Sequence, residues 1–408
     1  MYVELTATDK HLKSDLTITG SKSETNRLLI LQALFSNLKI ENQSDSDDSS
    51  VLQQALSAKN QKIIDIGHAG TAMRFLTAYF AFQKGERTLT GSPRMQNRPI
   101  KVLVEALRKL GADIQYLQQE GYPPLLIRGS NPTSNAVRIK ADVSSQYISA
   151  LLLIGASFPQ GLKITLQGEV LSRPYIEMTL SLLKKVGVQN KFENNQITIS
   201  PLTEIEAKTI TIESDWSSAS YFYSLAALSE TAVLKLSHFK KNSLQGDAKI
   251  AKFFNKFGVS TYYKNDSILL KKEKNVELPS YFETDLSHYP DLAQTLAVTC
   301  LGLGISFKLK GLSTLRIKET DRLNALQSEL SKFGAEIKIK KDILIGKARG
   351  TLNQNIKIDT YDDHRMAMAF APLVLKTKIT IQHPQVVSKS FPTYWKLLQR
   401  CNIEQVFQ

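Results

Sequence analysis

Four times along this chain a helix-like segment ends in a basic residue, a glycine and then an alternating stretch. The copies are Leu107-Arg-Lys-Leu-Gly111, Leu183-Lys-Lys-Val-Gly187, Phe254-Asn-Lys-Phe-Gly258 and Leu330-Ser-Lys-Phe-Gly334. Their glycines lie 76, 71 and 76 residues apart. Glycine past the last helical turn takes the left-handed conformation that closes a helix, and Lys or Arg before it complements the helix dipole. A fifth, weaker copy, Leu398-Gln-Arg-Cys401-Asn402, puts Asn in the glycine's place. One such exit is what any helix-to-strand junction looks like. Four at a near-constant period mark a structural repeat. Between the exits, stretches such as 136–140, 162–166 and 196–200 alternate apolar and polar residues, the mark of half-buried strands. Strands and helices in regular alternation give an α/β architecture with helices covering sheets.

A length of 408 residues exceeds one ordinary core, so two domains are expected. A boundary falls near Glu213-Ser214-Asp215, where a polar turn separates a strand at 208–212 from an apolar helix at 219–228. The apolar run 292–307 is shorter than the roughly 20 residues that span a bilayer and contains Gln294 and Thr295. Residues 1–15 alternate like a strand rather than forming a signal peptide. The two cysteines, Cys300 and Cys401, give neither a disulfide framework nor zinc spacing, so a reducing cytoplasm is the expected location. A net charge of +14 favours an anionic partner: nucleic acid, a membrane surface or a phosphorylated metabolite.

Polar clusters break the core pattern at helix starts. Gly20-Ser-Lys22-Ser23-Glu-Thr-Asn-Arg27 feeds the apolar run 28–34. Free N–H groups and the dipole make such a start attractive to an anion. It is not a P-loop, which needs Gly before the Lys and another five residues earlier; Ser21 and Leu16 stand there. Gly67-His-Ala-Gly70-Thr-Ala-Met-Arg74 permits close backbone approach to a ligand. Arg94-Met-Gln-Asn-Arg98-Pro carries two arginines, the preferred bidentate partners of phosphate and carboxylate. Ser144-Ser145-Gln146 and Ser172-Arg-Pro-Tyr175 suit either ligand hydrogen bonds or helix capping. Asp291 after Tyr289-Pro290 either caps a helix or does chemistry. In Lys318-Glu319-Thr-Asp-Arg322, Lys318 and Arg322 share one face if the helix starts that early, a like-charge pair that an anion would offset. The alternative is ion pairing with Glu319 and Asp321. Asp363-His-Arg365-Met and Lys389-Ser-Phe-Pro complete the series.

In this order the clusters resemble the 5-enolpyruvylshikimate-3-phosphate synthases (3-phosphoshikimate 1-carboxyvinyltransferases), and the match runs over the whole chain. The most specific segments are Gly20-Ser-Lys-Ser with Asn26-Arg27, 69–74, 318–322 and 363–366. The resemblance implies an inside-out α/β barrel fold in two domains, built from six βαβαββ units with the active site in the interdomain cleft. Residues 1–20 are then expected to rejoin 213–408, with 21–212 inserted. The implied reaction transfers the enolpyruvyl group of phosphoenolpyruvate (PEP) to the 5-hydroxyl of shikimate 3-phosphate, releasing phosphate through a tetrahedral ketal. It implies no metal or organic cofactor, no nucleic acid or membrane partner, and a monomer.

Position by position, the resemblance assigns Ser23, Arg27, Ser144, Ser145, Ser172, Tyr175, Asp291 and Lys318 to shikimate 3-phosphate. It assigns Lys22, Gly70, Arg98, Gln146, Arg322, Arg365 and Lys389 to PEP. Asp291 is the implied acceptor of the 5-hydroxyl proton and Glu319 the implied donor to the PEP methylene. Lys22 is close enough to share either task. A lysine's ordinary pKa of about 10.4 makes it a poor base at neutral pH, which favours an electrostatic role for Lys22. His68, Phe75 and Thr314 depart from residues common in the family, while Gly70 keeps the small residue that implies inhibition by glyphosate, competitive with PEP. The related enolpyruvyl transferases acting on UDP-N-acetylglucosamine use a mobile-loop cysteine, which neither Cys300 nor Cys401 matches. A basic nucleic-acid-binding protein is the reading from another class, supported by the aromatic and lysine mixture at 253–274.

Overall fold

A computed structural model of the protein describes every residue except 59, 60, 143, 348 and 349. The chain gathers into a discontinuous unit, Met1–Thr19 with Glu213–Gln408, and an inserted unit, Gly20–Ile212.

The repeat glycines do the work their sequence context requires. Gly111, Gly187, Gly258 and Gly334 have φ of 105°, 110°, 77° and 88°, and Asn402 in the fifth copy has φ 60°. Each turns the chain from a helix into a strand, for example from Arg173–Val186 to Asn190–Glu193 and from Arg322–Lys332 to Glu336–Lys340.

In the discontinuous unit three four-stranded sheets share one design, a parallel pair extended by two antiparallel strands. Tyr281–Asp285 runs parallel to Ser306–Lys310, which pairs antiparallel with Ile343–Lys347 and through it with Glu336–Lys340. The first residues of the chain serve two sheets. Strand His11–Thr17 runs parallel to Thr231–Ser237, whereas Tyr2–Ala7 lies antiparallel between Ile379–Gln382 and Ile403–Phe407. The inserted unit has two sheets of the same design and a shorter third, the parallel pair Leu38–Glu41 and Lys208–Thr211. Only residues 58–62 separate helix Asp47–Ser57 from strand Ile63–Asp65, which leaves no length for a hairpin in that repeat.

Within each unit three helices are enclosed. In the discontinuous unit these are Trp216–Leu228, Ala293–Gly302 and His364–Phe370, nearly every residue of which is buried. Apart from Gln294, His364 and Arg365 near their N-terminal ends, their sequences are mostly apolar or small, and a helix without a polar face must be surrounded. Small hydroxyls between them bond each other, as Ser220 with Thr295 (3.0 Å) and Thr299 with Ser224 (2.7 Å), so these hydroxyls are satisfied. The strands supply the wall: in Thr231–Ser237, Ala232, Leu234 and Leu236 point inward while Val233 and Lys235 face out. Lys22–Leu34, Gly70–Ala81 and Ser145–Gly155 are the corresponding helices of the inserted unit. In both units the polar clusters lie at or beside the N-terminal ends of these helices. Among the described residues, no helix is long and apolar enough to cross a membrane.

Candidate active site

In the inserted unit, Ser21 caps the first enclosed helix and places Lys22 in its first turn, where Nζ pairs with Asp48 at 3.3 Å. Asp48 was not among the residues expected from the sequence; its signal is the Ser46-Asp47-Asp48 start of the next helix, which Ser46 caps. One turn on, Arg27 is buried under Phe75 and Tyr175, with its Cζ 5.6 and 6.0 Å from their ring centroids. Its donors reach Thr179 Oγ1 (2.7 Å), Ser23 O (2.7 Å), Ser149 Oγ (3.1 Å) and Tyr175 O (3.3 Å). Burial brings its pKa down to about 10, which still leaves it cationic at neutral pH. Of its five N–H donors, four are engaged, two of them by the Ser23 and Tyr175 carbonyls, which they hold in place.

At the second enclosed helix, a Cβ built on Gly70 would stand 2.5 Å from Arg98 Nη1, so the guanidinium lies directly on the helix start. Arg98 Nε is buried with no hydrogen-bond partner among the described residues. At the third helix Ser144 accepts from the Gln146 amide, and Gln146 Nε2 reaches across to Thr71 Oγ1 at 3.2 Å. Ser172 precedes helix Arg173–Val186 with φ 51°, and its hydroxyl makes no capping bond. A non-glycine residue held left-handed is strained, a condition common at ligand sites.

The discontinuous unit brings its six predicted residues into one charged network. Asp291 Oδ1 lies 3.0 Å from Arg322 Nη1 and 3.5 Å from Lys318 Nζ, while Oδ2 meets Arg365 Nη2 at 3.2 Å. Glu319 bridges Arg322 Nη2 (2.8 Å) and Lys389 Nζ (3.3 Å). Arg322 is anchored by Asp363, with Nε to Oδ2 at 2.6 Å and Nη2 to Oδ1 at 3.2 Å. Asp363 in turn caps the helix that carries Arg365 by accepting from its amide.

These contacts set the charges. Burial alone would raise the Asp291 carboxyl, but Arg365, Lys318 and Arg322 outweigh it and hold the group well below the usual carboxylate range. Burial alone would lower Arg322; Asp363, Glu319 and Asp291 outweigh it and keep the guanidinium charged. For Lys318 burial prevails over the neighbouring Asp291, and its pKa falls.

One sequence expectation is corrected. Lys318 is extended, with φ −82° and ψ −152°, and the helix begins only at Arg322 behind the Asp321 cap. The two cations therefore do not share a helix face, and no like-charge helical pair needs an anion to relieve it. Both meet Asp291, and Arg322 also pairs with Glu319, as the alternative reading expected. Asp321 pairs with Arg316. The cysteines are buried in the apolar interior, and burial pushes both thiols up, Cys401 to about 12. Neither has the lowered pKa that marks a nucleophile. Asp363, Asp247 and Ser217 belong to this neighbourhood and had no assigned role; an aspartate or serine at or near a helix start carries no sequence signal that separates it from ordinary first-turn residues.

The family model described as EPSP synthase (3-phosphoshikimate 1-carboxyvinyltransferase) matches residues 34–398. A relative of that enzyme name from Bacteroides fragilis strain YCH46 is 44% identical over 400 residues, covering 97% of each chain. Another, from Vibrio campbellii, is 35% identical over 419 residues, covering 95% of this chain and 96% of its own. Among solved structures, EPSP synthase from Acinetobacter baumannii superposes with a TM-score of 0.80 over the full length of both chains at 23% identity. The enolpyruvyl transferase NikO from Streptomyces tendae gives 0.76 at 13% identity, covering 99% of this chain and 98% of its own. The last two bear on the fold alone.

Proposed function

The chain belongs to the EPSP synthase (3-phosphoshikimate 1-carboxyvinyltransferase) family, and from that premise we propose how its residues divide the reaction. It is a transferase of the shikimate pathway to aromatic amino acids, moving the enolpyruvyl group of PEP to shikimate 3-phosphate. We assign the sugar-like substrate to Ser23, Ser144, Ser145, Ser172, Tyr175 and Lys318, with Arg27 both fixing this cradle and adding its charge. PEP goes to Lys22, Gly70, Arg98 and Gln146 of the inserted unit and to Arg322, Arg365 and Lys389 of the discontinuous unit.

The observation that carries the chemistry is Asp291 held by three cations. So restrained, it is a weak base and would not take a proton from a hydroxyl. The substrates carry phosphate and carboxylate groups that compete for those same cations. As Arg365, Arg322 and Lys318 turn to the substrate anions, Asp291 loses the charges that lower its pKa. It then becomes a competent acceptor for the 5-hydroxyl proton. Glu319 is tied to Arg322 and Lys389 in the same manner. PEP drawing on these two cations favours the protonated form of Glu319, which a donor to the methylene carbon requires. Lys22 and the remaining cations stabilise the charge that develops on the phosphate as it leaves.

A phosphate-release assay with each substrate omitted in turn tests the reaction; release should require both. Asp291→Asn and Glu319→Gln test the roles. Each should bind both substrates by calorimetry while kcat falls about 10²- to 10⁴-fold, the usual contribution of a positioned acid or base. Near-normal kcat in both variants would refute the assignment.

A further inference from the structure

Asp247 lies in the short helical turn Gly246–Lys249 and is 3% exposed. Its Oδ2 accepts from Ser217 Oγ, and its Oδ1 is buried with no hydrogen-bond partner among the described residues. A carboxylate has about four acceptor sites to satisfy. Asp363 nearby receives two guanidinium bonds and a backbone amide, and Asp291 faces three cations. Among the described residues, Asp247 has one hydroxyl. An isolated buried charge in that position is costly, and a group so placed holds a proton instead.

The same hydroxyl links Asp247 to the charged network. Ser217 Oγ lies 3.4 Å from Arg365 Nη2, the atom that also meets Asp291 Oδ2 at 3.2 Å. The network contains four cations, Lys318, Arg322, Arg365 and Lys389, and three carboxylates, Asp291, Glu319 and Asp363. A neutral Asp247 leaves one positive charge in excess; an ionised one cancels it.

We propose that Asp247 is a positioning residue that, by holding a proton beside Ser217 and Arg365, keeps Arg365 and its network net cationic and so able to receive the anionic substrate. This rests on the assignment of Arg365 to PEP. The groups facing Asp247 are Asp291, Asp215 and Arg365, the last also touching Tyr221 Oη at 3.4 Å. Burial first, then repulsion from Asp291, raises its pKa to about 7, against the pull of Arg365 and Ser217. The proton is therefore present below about pH 7 and lost above it, and PEP binding weakens as pH rises through that value.

The test is KM for PEP at saturating shikimate 3-phosphate, from pH 6 to 8.5, for the wild type and Asp247→Asn. PEP's own phosphate ionisation is common to both and cancels in the ratio. The ratio of wild-type to variant KM should grow about tenfold across the range, the effect of one pKa unit of linkage. A ratio independent of pH overturns the proposal. Should Asp247→Asn not fold, Ser217→Ala removes the one donor to Asp247 and should move the KM inflection to higher pH; an unmoved inflection overturns it equally. Arg365→Ala separates the two readings. If it leaves KM for PEP unchanged, the assignment of Arg365 fails and the proposal with it. If it raises KM while Asp247→Asn keeps the wild-type pH dependence, only the role of Asp247 fails.

Discussion

At Gly70 the absence of one carbon decides where an arginine can sit. A Cβ there would come within 2.5 Å of Arg98 Nη1, 3.0 Å of Arg98 Cζ and 3.1 Å of Arg74 Nη1. The obstructing atoms are the far ends of side chains, so Gly70→Ala displaces Arg98 rather than breaking the fold. Arg74 gives less, because it is buried and bonded to Gly70 O at 2.9 Å. Moving a guanidinium off the helix start weakens a charge-assisted contact, and such contacts contribute about 1.5–3 kcal/mol, or roughly tenfold and more in affinity. Gly70→Ala should therefore raise KM for PEP at least tenfold with the melting temperature little changed. A matching loss of thermal stability would instead show Gly70 to be a packing residue. The residue types of this site were legible because cations and glycines at helix starts stand out against an apolar background. Long-range pairings were not: nothing in the order of residues says that Arg322 joins Asp363 and Asp291, since these lie on segments brought together only by the fold, whereas its pairing with nearby Glu319 was readable.

The helical exits were the most readable elements, because a left-handed residue after a helix is a local requirement that Gly or Asn meets without tertiary help. The turn before the His364 helix was not readable for the opposite reason. Tyr361 and Asp362 are both left-handed, with φ of 53° and 54°, and neither is glycine. Such a turn persists only where its surroundings enforce it. Here the buried Glu329 carboxylate accepts from Tyr361 Oη (2.7 Å), the Asp359 amide (3.1 Å) and Lys332 Nζ (2.7 Å). Glu329 sits two turns after Arg322 on the same helix, so that helix grips the turn through Glu329 and grips Asp363 through Arg322. Tyr361→Phe removes one of three donors to a buried carboxylate, a loss of about 1–3 kcal/mol. For a unit of this size that is roughly 2–4 °C in melting temperature per kcal/mol. The variant should melt several degrees lower and lose kcat/KM as Asp363 loosens its hold on Arg322. An unchanged melting curve would mean that the turn is fixed by something other than Glu329.

For the whole molecule, the consequential feature is that one unit is inserted into the other. A net charge of +14 invited a nucleic-acid reading, yet the cations of the discontinuous unit's site are met by carboxylates at close range, as a small-molecule site requires. The insertion itself rests on local geometry at its two ends. A Cβ on Gly20 would fall 1.7 Å from the Asn42 carbonyl oxygen and 3.1 Å from Ile212 Cγ2, and Asn42 Nδ2 donates to Ile212 O at 2.8 Å. The first and last residues of the inserted unit are thus side by side, tied by Asn42. Its three enclosed helices and its sheets form a core without help from residues 1–19. Adjacent ends and an independent core are the conditions under which an inserted domain folds alone. The other unit lacks that freedom, because residues 2–17 supply a strand to each of two of its sheets. A chain of residues 20–212 should accordingly show α/β circular dichroism and one cooperative thermal transition. Residues 213–408 alone should not, and should regain a cooperative transition when 1–19 is restored through a short linker. Loss of cooperativity in 20–212 would mean that the inserted unit depends on the rest of the chain, and Gly20→Ala would then be expected to unfold the entire protein rather than this half of it.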